Sequence, residues 1–303
     1  MRTKPEFPGS ESARAAEKRV LKKRELVIAV PNKGRMQGPC FQLLEDVGIK
    51  AKPNGDRQLI VPTSEPGVKL LLSRMSDIPL MLERGAADIG FTGKDCVAER
   101  GSKVDTFLDL DFGVCKVALA APRGVRKPES IATALPNITA GYCRKRGWNP
   151  EIVKLEGALE SAPRLGIAQA IVDQVETGIT LAENKLRVID VIMESRMCII
   201  GVNDSFRGSG LTEPVITITM LAQGRMDARM RMLLKVNAAD AGVRDVLVNA
   251  LPAMKSPNVT PLAGGGFSLE AAVPRKGYEA LVVKLRKLGG TDIVVSDIKM
   301  LVA

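Results

Sequence analysis

From Leu26 onward, short runs rich in Val and Ile alternate with stretches of helical periodicity, and this alternation limits the fold more than any other feature. Such runs suit strands buried on both faces, and a parallel neighbour must be reached through a crossover helix. The pattern therefore predicts βαβ units and mostly parallel sheets. Strands are expected near 26–31, 59–62, 68–72, 87–92, 106–111, 114–120, 151–155, 169–174, 187–193 and 196–202. Helices fill the gaps, the clearest at 38–47, 76–85, 94–101, 136–147 and 180–184. Ser76 or Asp77 can cap the second of these, and Pro136 suits a first helical turn.

Residues 203–212 are polar and Gly-rich, and a domain boundary is expected there. A helix at about 213–226 follows. The order then reads β (228–236), α (239–250), β (258–263), β (267–274), α (275–289), β (292–298), the split βαβ arrangement of a ferredoxin-like domain. The fold class is α/β, and 303 residues suit two or three domains.

The net charge of +10 raises the question of nucleic acid, and its distribution answers it. Residues 1–24 hold eight Lys/Arg against three Glu, so half of the excess lies in a basic leader that is expected to be disordered. Aromatic residues are 3% of the chain, which leaves few surfaces for stacking bases. Small anionic substrates fit better than nucleic acid. No apolar run approaches the roughly 20 residues of a membrane helix, and no apolar signal core precedes the fold. The five cysteines form no C-x-x-C pair, so reduced, buried thiols in a cytoplasmic protein are expected. The chain has no histidine, which removes Ser-His-Asp triads, Cys-His dyads and imidazole-bound metals. Carboxylate, Lys/Arg and backbone-dipole chemistry remain.

The most informative segment runs from Gln169 to Leu181. Its first half reads as a buried strand that ends near Asp173. Its second half, Glu176-Thr177-Gly178-Ile179-Thr180, reads as a tight turn opening a helix, with Thr180 and Glu183 spaced as a capping box. Such a turn aims backbone N–H groups and two Thr hydroxyls at one point, where a phosphate fits. A carboxylate just upstream can accept hydrogen bonds from the vicinal hydroxyls of a ribose. An ordinary βα turn has the same spacing, so the segment alone leaves both readings open.

Ordered blocks extend this picture. Lys33-Gly34-Arg35, Asp77-Ile78-Pro79, Gly85 to Gly90, Gly93-Lys94-Asp95, Leu110-Asp111-Phe112-Gly113, Ile131-Ala132-Thr133 with Pro136-Asn137, Ile171 to Leu181, and Ser256-Pro257 with Pro261 to Gly266 follow one another. In that order they resemble the ATP phosphoribosyltransferases, the first enzymes of histidine biosynthesis, from about Leu26 to the end. The blocks of the last third resemble the long form of that family.

The resemblance implies a two-lobed catalytic part like a periplasmic binding protein, followed by a ferredoxin-like (βαββαβ) regulatory domain. Lobe one would comprise 25–111 and 185–208, lobe two 112–184, and the regulatory domain 211–303, with the chain crossing near Phe112 and returning near Asn184. It implies transfer of the ribosyl group of phosphoribosyl pyrophosphate to ring nitrogen 1 of ATP, with Mg²⁺ carried mainly on the phosphates and no dedicated protein metal site. Asp173 would meet the ribose hydroxyls, and Glu176, Thr177, Gly178, Ile179 and Thr180 would surround the 5′-phosphate. Lys33 and Arg35 match catalytic basic positions. Arg57, Arg74, Lys94 and Glu160 match nucleotide or phosphate positions. Histidine would inhibit, and dimers would assemble into hexamers. Three departures stand out: Gln169, where many relatives carry an acid, with a change in ribose or metal contacts expected; the stretch at Glu156 and Ala158, near which a small polar residue is common; and the basic leader through Arg24. A non-catalytic two-lobed binding protein and a silent paralogue are the alternatives.

Overall fold

A computed structural model describes residues 24–53, 58–206 and 208–302. The leader through Lys23 lies outside the described residues. Arg24, counted with it, belongs to the fold: its Nη2 pairs with Asp88 Oδ1 at 2.7 Å, and Asp88 Oδ2 accepts from Val27 N at 2.8 Å.

The chain begins with β1 (Leu26–Pro31), α1 (Gln37–Asp46), β2 (Ile60–Pro62), β3 (Val68–Ser73), α2 (Ile78–Glu83), β4 (Ile89–Gly93), α3 (Lys94–Arg100) and β5 (Asp105–Asp109). It crosses into β6 (Cys115–Ala121), β7 (Ser130–Thr133), α4 (Pro136–Lys145), β8 (Glu151–Lys154), β9 (Ala170–Val175), α5 (Ile179–Glu183) and β10 (Arg187–Ser195). It then returns through β11 (Met197–Gly201) to α6 (Thr212–Arg229). The first sheet has the order β2-β3-β1-β4-β11-β5 and the second β10-β6-β9-β7-β8. This double crossing is the two-lobed arrangement of a periplasmic binding protein.

β1 shows why the pattern folds this way. Leu26, Ile28 and Val30 face Cys40, Leu43 and Leu44 of α1, while Ala29 faces Ile78 and Leu82 of α2. Alternate side chains of a strand point to opposite faces, so a strand covered on both sides is apolar throughout. The sheets are mixed rather than mostly parallel. β1 pairs parallel with β3 and β4, and β7 with β8 and β9, but the strands next to the crossings, β5, β6, β10 and β11, pair antiparallel. β7 was absent from the expected strands because its apolar run is only Ile131 and Ala132. The expected cap of α2 is also absent: Asp77 holds the N-cap position without a side-chain bond.

Two expected boundaries move. β10 pairs with β6 from Arg187 to Ser195, so it belongs to lobe two, and the chain returns at Arg196 instead of near Asn184. The segment 203–212 is not the domain boundary. Leu211 and the α6 residues Val215, Ile218, Ala222 and Met226 are buried in the core of lobe one with Leu43, Leu44 and Phe91. The third unit therefore starts after Arg229, with β12 (Arg231–Ala238), α7 (Ala241–Ala250), β13 (Asn258–Pro261), β14 (Phe267–Pro274), α8 (Tyr278–Lys287) and β15 (Thr291–Asp297). Its antiparallel sheet, β13-β14-β12-β15, is ferredoxin-like and has a separate core around Leu234, Val236, Leu247, Leu269, Val273 and Leu285. Arg225 Nε meets Asp46 Oδ2 at 2.7 Å and Arg225 Nη1 donates to Lys299 O, tying the C-terminal segment to lobe one.

Ile218→Ala should lower the stability of the catalytic lobes by about 2–5 kcal/mol, the usual cost of a buried Ile-to-Ala cavity. Denaturant unfolding followed at Trp148 of lobe two and by far-ultraviolet dichroism measures it. A loss below about 0.5 kcal/mol would place α6 outside that core.

Candidate active site

The cleft between the lobes is framed by segments that follow strands. On lobe one, the chain after β1 brings Lys33, Gly34, Arg35 and Met36 to the opening, and Met75 arrives just after β3. On lobe two, β9 is buried through Val172 and emerges at Asp173. Its pairing of Asp173 with Ala118 and of Gln174 with Val117 fixes where these side chains stand. The turn after it passes through Gly178, whose φ of 75° is left-handed, and enters α5. An L side chain would oppose that conformation by roughly 1–2 kcal/mol.

Arg35, Glu160, Asp173, Gln174, Val175, Glu176, Thr177, Gly178, Thr180 and Leu181 surround one cavity of about 260 Å³. A second, of about 200 Å³, adjoins it and is lined by Lys33, Gly34 and Arg35 as well as by Asp95, Gly113, Cys115 and Met197. Both are bordered by Arg35, Gln174 and Glu176, so together they form one cleft. Arg35 Nη1 donates to Glu176 Oε2 at 2.6 Å, joining the two lobes at its mouth. That contact also turns the Glu176 carboxylate toward a cation, which lessens its repulsion of any phosphate in the turn.

Glu160 comes from a short 3-10 turn, Leu159–Ser161. The preceding Ala158 is left-handed (φ 50°), and its carbonyl accepts from Ser161 N at 3.2 Å and Ser161 Oγ at 2.7 Å. Asp173 Oδ1 accepts from Gln174 N at 2.7 Å. Burial is the largest influence on Asp173 and raises its pKa above the ordinary carboxylate value. The Gln174 N–H opposes that rise, and the charge of Glu160 adds to it.

Other expected positions stand elsewhere. Ile179 opens α5 with an exposed side chain and is not among the residues lining the cavities. Arg74 is exposed beside Met75. Lys94 Nζ pairs with Asp109 Oδ2 at 2.7 Å, within lobe one. Arg57 lies outside the described residues. The expected capping box does not form: α5 starts at Ile179, which puts Thr180 inside the helix and gives the N-cap position to Gly178. Gln169 is at the opposite end of β9 from the turn, about 13 Å from Asp173 at 3.3 Å per residue. Its Oε1 accepts from Glu129 N at 2.8 Å, so the expected change in ribose or metal contacts has no basis there.

Asp95 and Gln174 face the cleft although neither is conspicuous in the sequence. In Gly93-Lys94-Asp95 the cation draws notice, yet Asp95 is the residue at the cavity wall, 2% exposed. Gln174 adjoins Asp173, and strand alternation would place it on the other face; emergence of β9 from the sheet brings both to the cleft. Among the described residues, no three His, Cys, Asp or Glu side chains group to hold a metal ion. No helix among them is long and apolar enough to cross a membrane.

Fold and cleft define a class, a two-lobed α/β protein with a polar cleft between its lobes. A family model described as ATP phosphoribosyltransferase matches residues 74–221, and one described as HisG, C-terminal domain, matches 228–300. The ATP phosphoribosyltransferase of Saccharolobus solfataricus is 38% identical over 289 residues, 92% of this chain and 99% of that protein. That of Methanothermobacter thermautotrophicus is 37% identical over 286 residues, 91% and 98% of the two chains. A solved structure, the ATP phosphoribosyl transferase (HisG:HisZ) complex from Thermotoga maritima, aligns with a TM-score of 0.58 at 30% identity, over 64% of this chain and 96% of that chain. The chain belongs to the ATP phosphoribosyltransferase family and is a pentosyltransferase of L-histidine biosynthesis.

Because folded Asp173 keeps its proton to higher pH than the unfolded chain does, the apo protein loses stability as pH rises through that window. Asp173→Asn removes this loss while keeping the shape and the acceptor for Gln174 N. Its melting temperature at neutral pH should equal or exceed that of the parent. Binding of phosphoribosyl pyrophosphate should weaken about 10- to 100-fold, the value of charge-assisted hydrogen bonds to the hydroxyls. Calorimetry at several pH values checks both parts, and unchanged binding would remove Asp173 from the ribose site.

Proposed function

We propose that this cleft holds phosphoribosyl pyrophosphate and ATP together, joins the anomeric carbon of the ribose to ring nitrogen 1 of adenine, and releases pyrophosphate. What supports this most is the cavity in which Asp173 and the turn from Glu176 to Thr180 face Arg35 of the other lobe. Asp173 accepts hydrogen bonds from the ribose hydroxyls. The backbone of Thr177, Gly178, Ile179 and Thr180, with the two Thr hydroxyls, surrounds the 5′-phosphate. Lys33 and Arg35, exposed on the lobe-one rim, meet the pyrophosphate and triphosphate oxygens. Glu160 stands next to the sugar.

The attacking nitrogen has a free lone pair and no proton, so no strong general base is required, which suits a chain without histidine. Rate enhancement comes from aligning two substrates from opposite lobes and from cationic stabilisation of the departing pyrophosphate. Magnesium would neutralise charge on the leaving phosphates. Asp95, Glu160 and Asp173 are the cleft carboxylates without an ion-pair partner among the described residues, and they do not group to hold a metal ion. The cation therefore fits as one held mainly by phosphate oxygens.

The ferredoxin-like domain is the place for histidine inhibition, and assembly through dimers to a hexamer accompanies it in this proposal. Five free cysteines suit the reducing cytoplasm, and burial pushes the Cys40 and Cys198 thiols up to about 12.

Purified protein with both substrates and magnesium should release pyrophosphate and build up the ultraviolet absorbance of the joined product. Neither substrate alone should give either signal. Pyrophosphate release that does not need ATP, or tight binding of both substrates without turnover, would contradict the transferase assignment.

A further inference from the structure

Helix α3 meets lobe two with two carboxylates that the proposed chemistry does not use. Asp95 and Glu99 are four residues apart and share one face of the helix. Glu99 reaches the start of α4 in the other lobe. Its Oε1 accepts from Asn137 N and its Oε2 from Ile138 N, each at 2.9 Å, while Asn137 Nδ2 donates to Glu99 O at 2.9 Å. A carboxylate there satisfies orphan amides and complements the helix dipole. α4 has no cap of its own, because its N-cap residue is Leu135. The cap is thus supplied from the opposite lobe.

One turn back, Asp95 makes a second set of contacts. Its Oδ1 accepts from Ser195 Oγ at 2.6 Å, its N–H donates to the same Oγ at 3.0 Å, and its Oδ2 accepts from Gln174 Nε2. Ser195 ends β10, directly before the return crossing. Gln174 follows Asp173 and donates its own N–H to Asp173 Oδ1. A Cβ at Gly93 would stand 2.3 Å from Asp95 Oδ1, so the residue before α3 leaves the space that this carboxylate occupies. The Arg35–Glu176 pair at the mouth is far more exposed, 60% and 36% at the side chains, and surface ion pairs of that kind are weak.

We infer that α3 is the clasp between the lobes, in which Glu99 fastens α4, Asp95 fastens the end of β9, and both act as positioning residues. The clasp holds Asp173 and the turn after it opposite Lys33 and Arg35, so its effect on catalysis rests on the function proposed above. Loosening it lowers the population of the binding-competent, closed form and weakens apparent affinity by that fraction, while bound substrates still draw the lobes together.

Glu99→Gln keeps the length of the side chain and one acceptor, but loses the charge and the second acceptor. Its Kd and KM for phosphoribosyl pyrophosphate should rise about tenfold, with kcat within about twofold of the parent. The amides of Asn137 and Ile138 should exchange hydrogen faster. Ser195→Ala, which does not touch those amides, should also speed their exchange by releasing Asp95. If Glu99→Gln speeds exchange and leaves Kd and KM unchanged, Glu99 is only a helix cap. If Ser195→Ala leaves both amides at the parent rate, the two carboxylates do not act as one clasp. Exchange needs no substrate, so it tests the clasp even where the parent releases no pyrophosphate, a result that would count against the proposed function instead.

Discussion

Two backbone hydrogen bonds, Leu110 N to Met197 O at 2.9 Å and Met197 N to Phe112 O at 3.2 Å, bind the outgoing chain to the returning chain where both cross between the lobes. The cleft depends on this junction, because it fixes which strand ends face each other. Gly113 lies within it at φ 66°, where an added Cβ would stand 2.6 Å from Met197 Cγ and 2.9 Å from Met36 Sδ. The Leu110-Asp111-Phe112-Gly113 block thus has a packing reason. Its last residue must leave room for the two methionines that line the cavity floor.

Each lobe brings a different part of the chemistry to this junction. Lobe two offers a partly buried carboxylate and a left-handed turn, held in register by pairing of β9 with β6 and β7. Lobe one offers cations on exposed segments after β1 and β3. Under the proposed function neither wall is complete alone, and the angle between the lobes matters as much as any single side chain. The third domain joins near the same junction. Arg229, the last residue of α6, has its Nη1 3.3 Å from Asp111 Oδ1, and its carbonyl accepts from Arg275 Nε at 2.8 Å. A continuous set of contacts therefore runs from the ferredoxin-like sheet to the crossing.

Most elements were legible in the sequence because local pattern determines them. The both-face burial of β1 is visible as Leu-Val-Ile-Ala-Val, and the turn after β9 as Gly178 between Thr177 and Thr180. The lobe to which β10 and α6 belong was not legible. β10 has two register shifts, between Val188 and Asp190 and between Val191 and Met193, which blur the alternation that would show its partner. α6 carries exposed Ile216 and Met220 as well as buried Val215, Ile218 and Met226, so its sequence does not show which core it enters, and the Gly-rich segment before it reads as the boundary. Contacts across the cleft were out of reach for a simpler reason. Arg35 and Glu176 are 141 residues apart, and Asp95 and Ser195 are 100 apart, so nothing local ties them.

The claim on which the account turns is that phosphoribosyl pyrophosphate lies between the lobes with its sugar on β9. A crystal structure of the protein with that substrate and magnesium measures this directly. The 5′-phosphate should rest against the backbone of Thr177 to Thr180, the ribose hydroxyls within hydrogen-bond reach of Asp173, and the pyrophosphate toward Lys33 and Arg35. Ligand density on the outer face of lobe two or on the ferredoxin-like domain, with the cleft left open, would contradict it.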